Sequence, residues 1–356
     1  MANYNHGHYL NGALEAILAQ SLQPDRIIVV DDASTDNSLE VLGNLARRYK
    51  HIRIVQNQAN TRCFAYCQTI AQYLERTELE YVYLSAADER VLPGFFEKSI
   101  GLLEKFPKAG MCVSWLAFID EIGHRLAKDR LTNYHSHDLH VELRQPIFLS
   151  PAEVLKRLKR QPWFIGGMAP ALLRRSALAD AGGHPLPEMK LLADWYVVHF
   201  IALKYGMCYL PQTLVEFRLV ADSMGRQVAL HPEKVMQDFL SALRLLEDPK
   251  NRQVFPPPFI EANRRNFSYT AFRGSFIEWH FKFHEDLRRL APPKTLVDKC
   301  LKRIMHGFMR VEQLLLKFYC FRNVPAAFYE KASPLMGSLP KNLAMSAQYQ
   351  SRNNGR

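Results

Sequence analysis

The sequence of 356 residues contains no run of the roughly 18 apolar residues that a membrane-spanning helix needs. Its two longest candidates, residues 196–210 and 314–321, are interrupted by Lys204 and Lys317. The N-terminal stretch has neither the basic nor the apolar segment of a secretory signal peptide. The six cysteines include no Cys-x-x-Cys pair, which argues against a zinc knuckle and favours reduced, buried thiols. Together these absences predict a cytoplasmic protein.

Charge is distributed unevenly along a chain whose apolar content of 48% excludes global disorder. The formal net charge is +11. Residues 1–232 hold 25 basic and 24 acidic side chains, whereas residues 233–356 hold 21 and 11. The basic part contains no recognisable RNA- or DNA-binding motif, and charge alone gives only salt-sensitive, non-specific attraction. We therefore expect no specific nucleic-acid partner.

Apolar strand-like runs alternate with helix-like periodic stretches in the first two thirds of the chain. Strands are predicted over 26–31, 51–55, 81–84 and 111–118, and helices over 9–20, 61–76 and 93–106, with another ending near residue 46. This order predicts an α/β fold with a mostly parallel sheet flanked by helices. Ligands bind such sheets beyond the carboxyl ends of the strands. Two of these ends carry acids, Asp31-Asp32 and Asp88-Glu89.

The pattern changes at about residue 226, where strand signals end. We predict a domain over 1–225, a helical basic C-terminal extension over 226–340 and a disordered tail over 341–356. Residues 296–318 form one amphipathic stretch whose polar positions are largely Lys and Arg. Two interpretations stay open for this stretch. It packs its apolar face on the first domain, or it binds a membrane surface peripherally through anionic lipid.

Five short motifs follow one another in the first domain. They occupy residues 3–10 (NYNHGHYL), 30–36 (VDDASTD), 84–94 (LSAADERVLPG), 182–195 (GG followed by DW) and 218–223 (RLVADS). In this order they resemble the P-x-Y-N-x-x-x-Y-L, V-D-D-G-S-x-D, D-x-D, G-G…D-W and R-x-H-x-x-S motifs of family 2 glycosyltransferases with the GT-A fold. The resemblance covers residues 1 to about 225 and does not reach the basic extension.

The resemblance implies an inverting glycosyltransferase that moves a sugar from a nucleotide-diphosphate sugar donor to a saccharide or lipid-linked acceptor. It implies a role in surface polysaccharide or lipopolysaccharide assembly. Asp194 matches the general base, and Asp88 with Glu89 matches the site of a divalent cation, Mg²⁺ or Mn²⁺. A cation held by carboxylates stabilises the charge that develops on a diphosphate leaving group.

The remaining matched positions are assigned to donor and acceptor in the same way. Tyr4 matches an aromatic ring that stacks on the base, and Asp32 matches a carboxylate that accepts a hydrogen bond from it. The implied nucleotide-binding set is Tyr4, Asn5, Asp31, Asp32 and Ala87. The implied acceptor or phosphate region comprises Gly183, Trp195 and Arg218.

Each of these residues also has an ordinary structural interpretation. Asp31 and Asp32 can cap the next helix, Asp88-Glu89 can be a solvated turn, and Asp194 can cap the helix that follows it. Trp195 can be a core residue. Three alternating histidines suggest a metal site, but their spacing fits a solvated loop better. They are His135, His137 and His140.

The sequence departs from the family at three of the expected site positions. Ala86 and Ala87 stand where the family carries further acids, and Val220 replaces the histidine of R-x-H. These changes weaken the predicted cation site. They motivate an alternative function as a catalytically weak nucleotide-sugar-binding or scaffold protein.

The start of the chain is a further departure. The family opens on an apolar strand, whereas only Met1 and Ala2 precede the first motif here. We hypothesise that an in-frame apolar strand is encoded upstream of Met1. A stop codon immediately before Met1 would contradict this hypothesis.

Overall fold

The computed structural model describes residues 1–61, 64–76, 78–126, 143–160, 165, 167–185, 192–220 and 232–267. Its strands are β1 (Ala2–Asn3), β2 (Ile27–Asp31), β3 (Ile52–Gln56), β4 (Tyr81–Tyr83), β5 (Arg90–Val91), β6 (Met111–Ile119), β7 (Ile147–Leu149), β8 (Ala171–Arg174) and β9 (Met207–Arg218). Its helices are α1 (Gly7–Leu18), α2 (Ser38–Arg48), α3 (Phe64–Arg76), α4 (Phe95–Lys105), α5 (Pro151–Leu158), α6 (Arg175–Asp180), α7 (Ala193–Tyr205) and α8 (Pro232–Glu247). The predicted α/β class is confirmed.

The first sheet is parallel and contains β1, β2 and β3 in that order. Strand β2 is almost entirely β-branched, as expected for a parallel strand that is covered on both faces. Helix α1 buries its apolar face, which includes Leu10 and Leu14, in the same core. This core fixes the carboxyl end of β2, where Asp31 and Asp32 stand.

Strand β1 links this sheet to the segment that follows β4. Ala2 pairs with Val30 on one side and with Ala86 on the other, both in parallel. The Ala2 N–H donates to the Ser85 carbonyl over 2.9 Å, and the Ala87 N–H donates to the Ala2 carbonyl over 2.9 Å. The two residues of β1 therefore occupy the position between these two segments. The sequence predicted that a longer strand is missing there. The upstream segment stays a prediction.

The second sheet has the order β4-β8-β6-β9-β5, with β7 paired to β9. Four of its five described pairings are antiparallel, and β6 with β9 is the parallel one. The predicted parallel arrangement therefore holds for β1–β3 and does not extend to most of this sheet. An apolar run of residues identifies a buried strand. The direction of that strand is set by its connections, about which the run carries no information.

The contacts divide the chain into two units, residues 1–227 with 241–262 and residues 228–240 with 263–356. In the first unit, a helical stretch that begins at 257 places Phe259 over Trp195 of α7, with ring centroids 5.8 Å apart. In the second, Phe239 stacks on Phe267 at 4.5 Å. The predicted boundary at 225 stays a prediction.

Several predicted features lie outside the described residues. These are the 296–318 stretch, the 341–356 tail and the three histidines of 135–140. Among the helices that are described, none is long and apolar enough to cross a membrane. The described cysteines, Cys67, Cys112 and Cys208, are buried thiols, as expected.

Candidate functional site: carboxylates at the strand ends

Asp31 is completely buried and its carboxylate is used to shape the turn after β2. It accepts hydrogen bonds from the Asn3 side chain at 2.7 Å, from the Ser34 N–H at 3.0 Å and from the Ser34 hydroxyl at 2.6 Å. The turn also requires Ala33 to adopt a left-handed conformation, with φ of 63°. Such a conformation costs a non-glycine residue about 1–2 kcal/mol. The bonds of Asp31 hold this strained turn in place.

Asp32 connects β2 to the loop that precedes α3. Its carboxylate accepts from the Asn57 side chain at 2.8 Å and from both the N–H and the hydroxyl of Thr61, at 3.0 and 2.7 Å. Beside it lies an open cavity of about 570 Å³, which we call the β2–β3 cavity. It is lined by Ala33, Ser34, Gln56, Asn57 and Gln58.

The loop between β1 and α1 lies against this turn. Asn5 is held in a left-handed conformation with φ of 54°, and its side-chain oxygen accepts from the Thr35 N–H at 2.7 Å. The Asn5 N–H donates to the Ser34 hydroxyl at 2.9 Å. Tyr4 beside it is 44% exposed, so its ring face is available to a ligand.

Asp88 and Glu89 stand in the connection between β4 and β5. The Asp88 side chain is 13% exposed, and His6 Nδ1 lies 4.0 Å from its Oδ1. No hydrogen-bond donor to this carboxylate occurs in the described parts of the chain. Burial raises the pKa of Glu89 from 4.5 to about 8, and the nearby charges of Asp88 and Asp194 add to this effect. Ala87 is completely buried.

Arg218 at the end of β9 holds the Asp88 segment in place. Its Nε donates to the Asp88 carbonyl at 3.2 Å, and its Nη1 donates to the carbonyls of Asp120 and Glu121 at 2.8 and 3.0 Å. The guanidinium also lies over the Tyr9 ring, 4.4 Å from its centroid. Arg218 is 7% exposed, so it contacts two backbone segments, at 88 and at 120–121, from the interior.

Asp194 lies in the first turn of α7 and faces the residues just before β8. Its carboxylate accepts from the N–H groups of Trp195 at 2.8 Å and Met168 at 3.4 Å. Burial raises the pKa of Asp194, and these two hydrogen bonds oppose the rise. The charge of Asp194 also raises the pKa of Glu89.

Comparison with known proteins decides the family. The profile of the family described as "Glycosyl transferase family 2" matches residues 1–181, about half of the chain. The chain belongs to this family. The chain is 30% identical to EpsE of Bacillus subtilis over 129 residues, which are 36% of the chain and 45% of EpsE. It is 31% identical to the uncharacterized glycosyltransferase YibD of Escherichia coli over 96 residues, 26% of each chain.

The matches span less than half of the length of these two relatives. Among solved structures, the chain is similar to TarS 1–349 of Staphylococcus aureus in complex with UDP-GlcNAc, with a TM-score of 0.53, 13% identity, and coverage of 77% and 79%. It is also similar to the mannosyltransferase PcManGT of Pyrobaculum calidifontis in complex with GDP-Man and Mn²⁺, with a TM-score of 0.52, 16% identity, and coverage of 90% and 83%. These similarities show the fold.

The described residues of the chain contain no group of three His, Cys, Asp or Glu side chains placed to hold a metal. The Asp88 carboxylate nevertheless fits a cation. It is accessible, it receives no described hydrogen bond, and its charge disfavours the ionised form of Glu89. A divalent cation would offset this repulsion.

Two further predicted residues have structural roles in the described chain. Trp195 is 2% exposed and stacks on His199 with ring centroids 4.3 Å apart. Gly183, with φ of 79°, lies three residues after the end of helix α6, and its N–H donates back to the Leu178 carbonyl at 2.8 Å. Their assignment to the acceptor region stays a prediction, as do the nucleotide and cation assignments.

Sequence reasoning did not single out His6, Tyr9, Asn57 or Thr61. His6 and Tyr9 lie inside the first motif, and their place in that motif was the one sequence signal that could have indicated a role at the site. Asn57 and Thr61 lie in a loop between predicted elements, and only the fold brings them to Asp32.

Gly167 provides a test of how Asp194 is positioned. Its φ is 142°, and a Cβ at this position would lie 2.6 Å from Asp194 Oδ2. We expect Gly167→Ala to displace the carboxylate and to lower sugar transfer at least tenfold, since small misplacements of reacting groups are costly. Activity and melting temperature should be measured together. Unchanged kcat in a folded variant would contradict this role of Gly167.

Proposed function

We propose that this chain is an inverting glycosyltransferase that moves a sugar from a nucleotide-diphosphate sugar to an acceptor hydroxyl. The observation that carries the proposal is that β1 pairs with both β2 and the segment before Asp88, which places the Asp31 turn and the Asp88 turn side by side in a family 2 fold. TarS bound to UDP-GlcNAc and PcManGT bound to GDP-Man and Mn²⁺ support a nucleotide-sugar donor.

In the proposed reaction, Asp194 accepts the proton of the acceptor hydroxyl. The hydroxyl oxygen then forms a bond to the anomeric carbon as the bond from that carbon to the diphosphate oxygen breaks. One base and no protein nucleophile give a single displacement with inversion. The raised pKa of Asp194 brings its basicity closer to that suited to proton transfer near neutral pH.

The leaving diphosphate requires stabilisation of negative charge. A divalent cation held by Asp88, with Glu89 beside it, would supply this stabilisation as a Lewis acid. Glu89 is the poorer ligand in its neutral form, so Asp88 is the principal carboxylate. Arg218 contributes by fixing the backbone of Asp88 through its carbonyl.

The donor's nucleotide is assigned to the β2–β3 cavity. Tyr4 offers an exposed ring for stacking, and the side chains of Gln56, Asn57 and Gln58 offer both donors and acceptors to a base. Asn5 and Asp31 preserve the shape of the turn at this cavity, and the Ala87 N–H fastens the segment before Asp88 to β1.

A thermal-shift panel tests the donor class. UDP-, GDP- and dTDP-sugars should be compared with and without Mn²⁺, using the free sugars as controls. A donor present at 100 times its Kd should stabilise the protein by about 2.7 kcal/mol. Stabilisation by none of these donors would contradict donor binding.

A second candidate function is nucleotide-sugar binding without efficient transfer, as in a scaffold protein. The lack of a three-ligand metal group in the described residues favours it. Donor stabilisation without acceptor glycosylation or donor hydrolysis, with or without Mn²⁺, would support this candidate. Turnover that disappears in Asp194→Asn would support the enzyme.

The cellular role is proposed on the family resemblance. We propose a cytoplasmic enzyme of surface polysaccharide or lipopolysaccharide assembly, with a saccharide or lipid-linked acceptor and peripheral membrane contact through residues 296–318. Flotation with liposomes tests the contact. Binding that requires anionic lipid would support it, and equal, negligible binding to neutral and anionic liposomes would refute it.

A further inference from the structure

His6 stands beside the one carboxylate of the site that is accessible and receives no described hydrogen bond. Its Nδ1 lies 4.0 Å from Asp88 Oδ1, and the two side chains are 28% and 13% exposed. This separation is too long for a hydrogen bond. The two side chains are therefore at the outer limit of an ion pair and share no hydrogen bond.

The separation suits a shared ion. Imidazole nitrogens and carboxylate oxygens bind divalent metals at about 2.0–2.2 Å, so two ligands of one ion lie no more than about 4.3 Å apart. The positively charged Arg218 does not compete, because its N–H groups donate to the carbonyls of Asp88, Asp120 and Glu121.

The backbone holds His6 at this place. His6 precedes α1, and its carbonyl accepts from the N–H groups of Tyr9 and Leu10 at 2.8 and 3.1 Å. Its ring meets the Tyr9 ring edge-on, with centroids 5.6 Å apart. The imidazole is therefore oriented on the Asp88 side by a rigid helix start.

We propose that His6 and Asp88 together ligate the divalent cation of this site, one through nitrogen and one through oxygen. The inference rests on the proposed function, since donor phosphate and water complete the coordination. It also predicts which divalent metal the site prefers. Imidazole suits transition metals and is a poor ligand for Mg²⁺, so Mn²⁺ should bind more tightly than Mg²⁺. Val220 provides no ligand, and His6 supplies nitrogen from a different element.

The test uses Mn²⁺ as a spectroscopic probe on the full chain. Electron spin-echo modulation of bound Mn²⁺, with UDP or GDP present, detects a directly coordinated histidine nitrogen. We expect this signal in the wild type and in His8→Ser, and we expect its loss in His6→Ser. Serine is favourable at a helix N-cap, so His6→Ser should fold. His8 is a matched control, since it is exposed and two residues away.

Metal affinities give a second measurement. The ratio of Mg²⁺ to Mn²⁺ dissociation constants should fall at least tenfold in His6→Ser and stay unchanged in His8→Ser. If Mn²⁺ binds without a nitrogen signal and Asp88→Asn abolishes this binding, His6 is not a ligand. The proposal that Asp88 binds the cation is then retained. If nucleotides stabilise the protein but Mn²⁺ does not bind, the ligand pair and the cation both fail and donor binding stands.

Discussion

Replacing Asp194 with asparagine should lower kcat by about 10²–10⁴-fold, the range found when a general base is removed. The variant keeps the shape of the side chain and its hydrogen bond from the Trp195 N–H, so it should fold. Donor binding should change little, because the proposed role of Asp194 is proton transfer from the acceptor. The measurements are kcat with acceptor and the Kd of the donor.

The pH profile separates this role from a structural one. Asp194 must be ionised to accept a proton, and burial raises its pKa. The kcat/KM of the wild type should therefore fall as pH decreases through a value above the ordinary 3.8 of an aspartate, and Asp194→Asn should lack this limb. Asp25→Asn, at an exposed aspartate, is the matched control. Full transfer by Asp194→Asn would remove this residue from the chemistry.

Replacing Gly206 with alanine should destabilise the protein by about 3–5 kcal/mol. Gly206 connects α7 to β9, with φ of 77° and ψ of 178°, a conformation that is almost confined to glycine. A Cβ would lie 2.6 Å from the Leu149 carbonyl oxygen and 2.9 Å from the Phe148 ring. Strain of about 1–3 kcal/mol adds to an overpacking cost of similar size.

Gly101→Ala gives the matched control for this prediction. Gly101 is exposed in α4, and nothing lies within 4 Å of the position of its Cβ. Alanine should stabilise this helix by about 0.5–1 kcal/mol. Denaturant unfolding of both variants measures the two changes. Similar stability of Gly206→Ala and the wild type would show that the connection adapts.

Local patterns predicted the elements that carry the site. The β-branched run before Asp31 indicated β2, and the apolar run before Asp88 indicated β4, because period and composition report burial directly. Family motifs then predicted the fold class, which the structure and the comparisons confirm. The direction of β8 was not predictable in this way, since it depends on connections between distant residues.

The partners of the acidic residues also escaped prediction. Asp31 was considered as a ligand contact or helix cap, but the fold directs Asn3 and Ser34 to its carboxylate. Arg218 lies 130 residues from Asp88 in the sequence, and their hydrogen bond exists because β9 and the segment after β4 end at the same place. Spacing alone cannot reveal such contacts.

The two-residue strand β1 has a consequence for local unfolding. The N–H groups of Val30 and Asp32 donate to the carbonyls of Met1 and Asn3 on one side, and that of Ala87 donates to the Ala2 carbonyl on the other. An opening of residues 1–3 would expose all three amides together, so their hydrogen exchange should report one opening free energy. The turns that contain Asp31 and Asp88 therefore form a single cooperative unit, in which local unfolding of one turn accompanies local unfolding of the other.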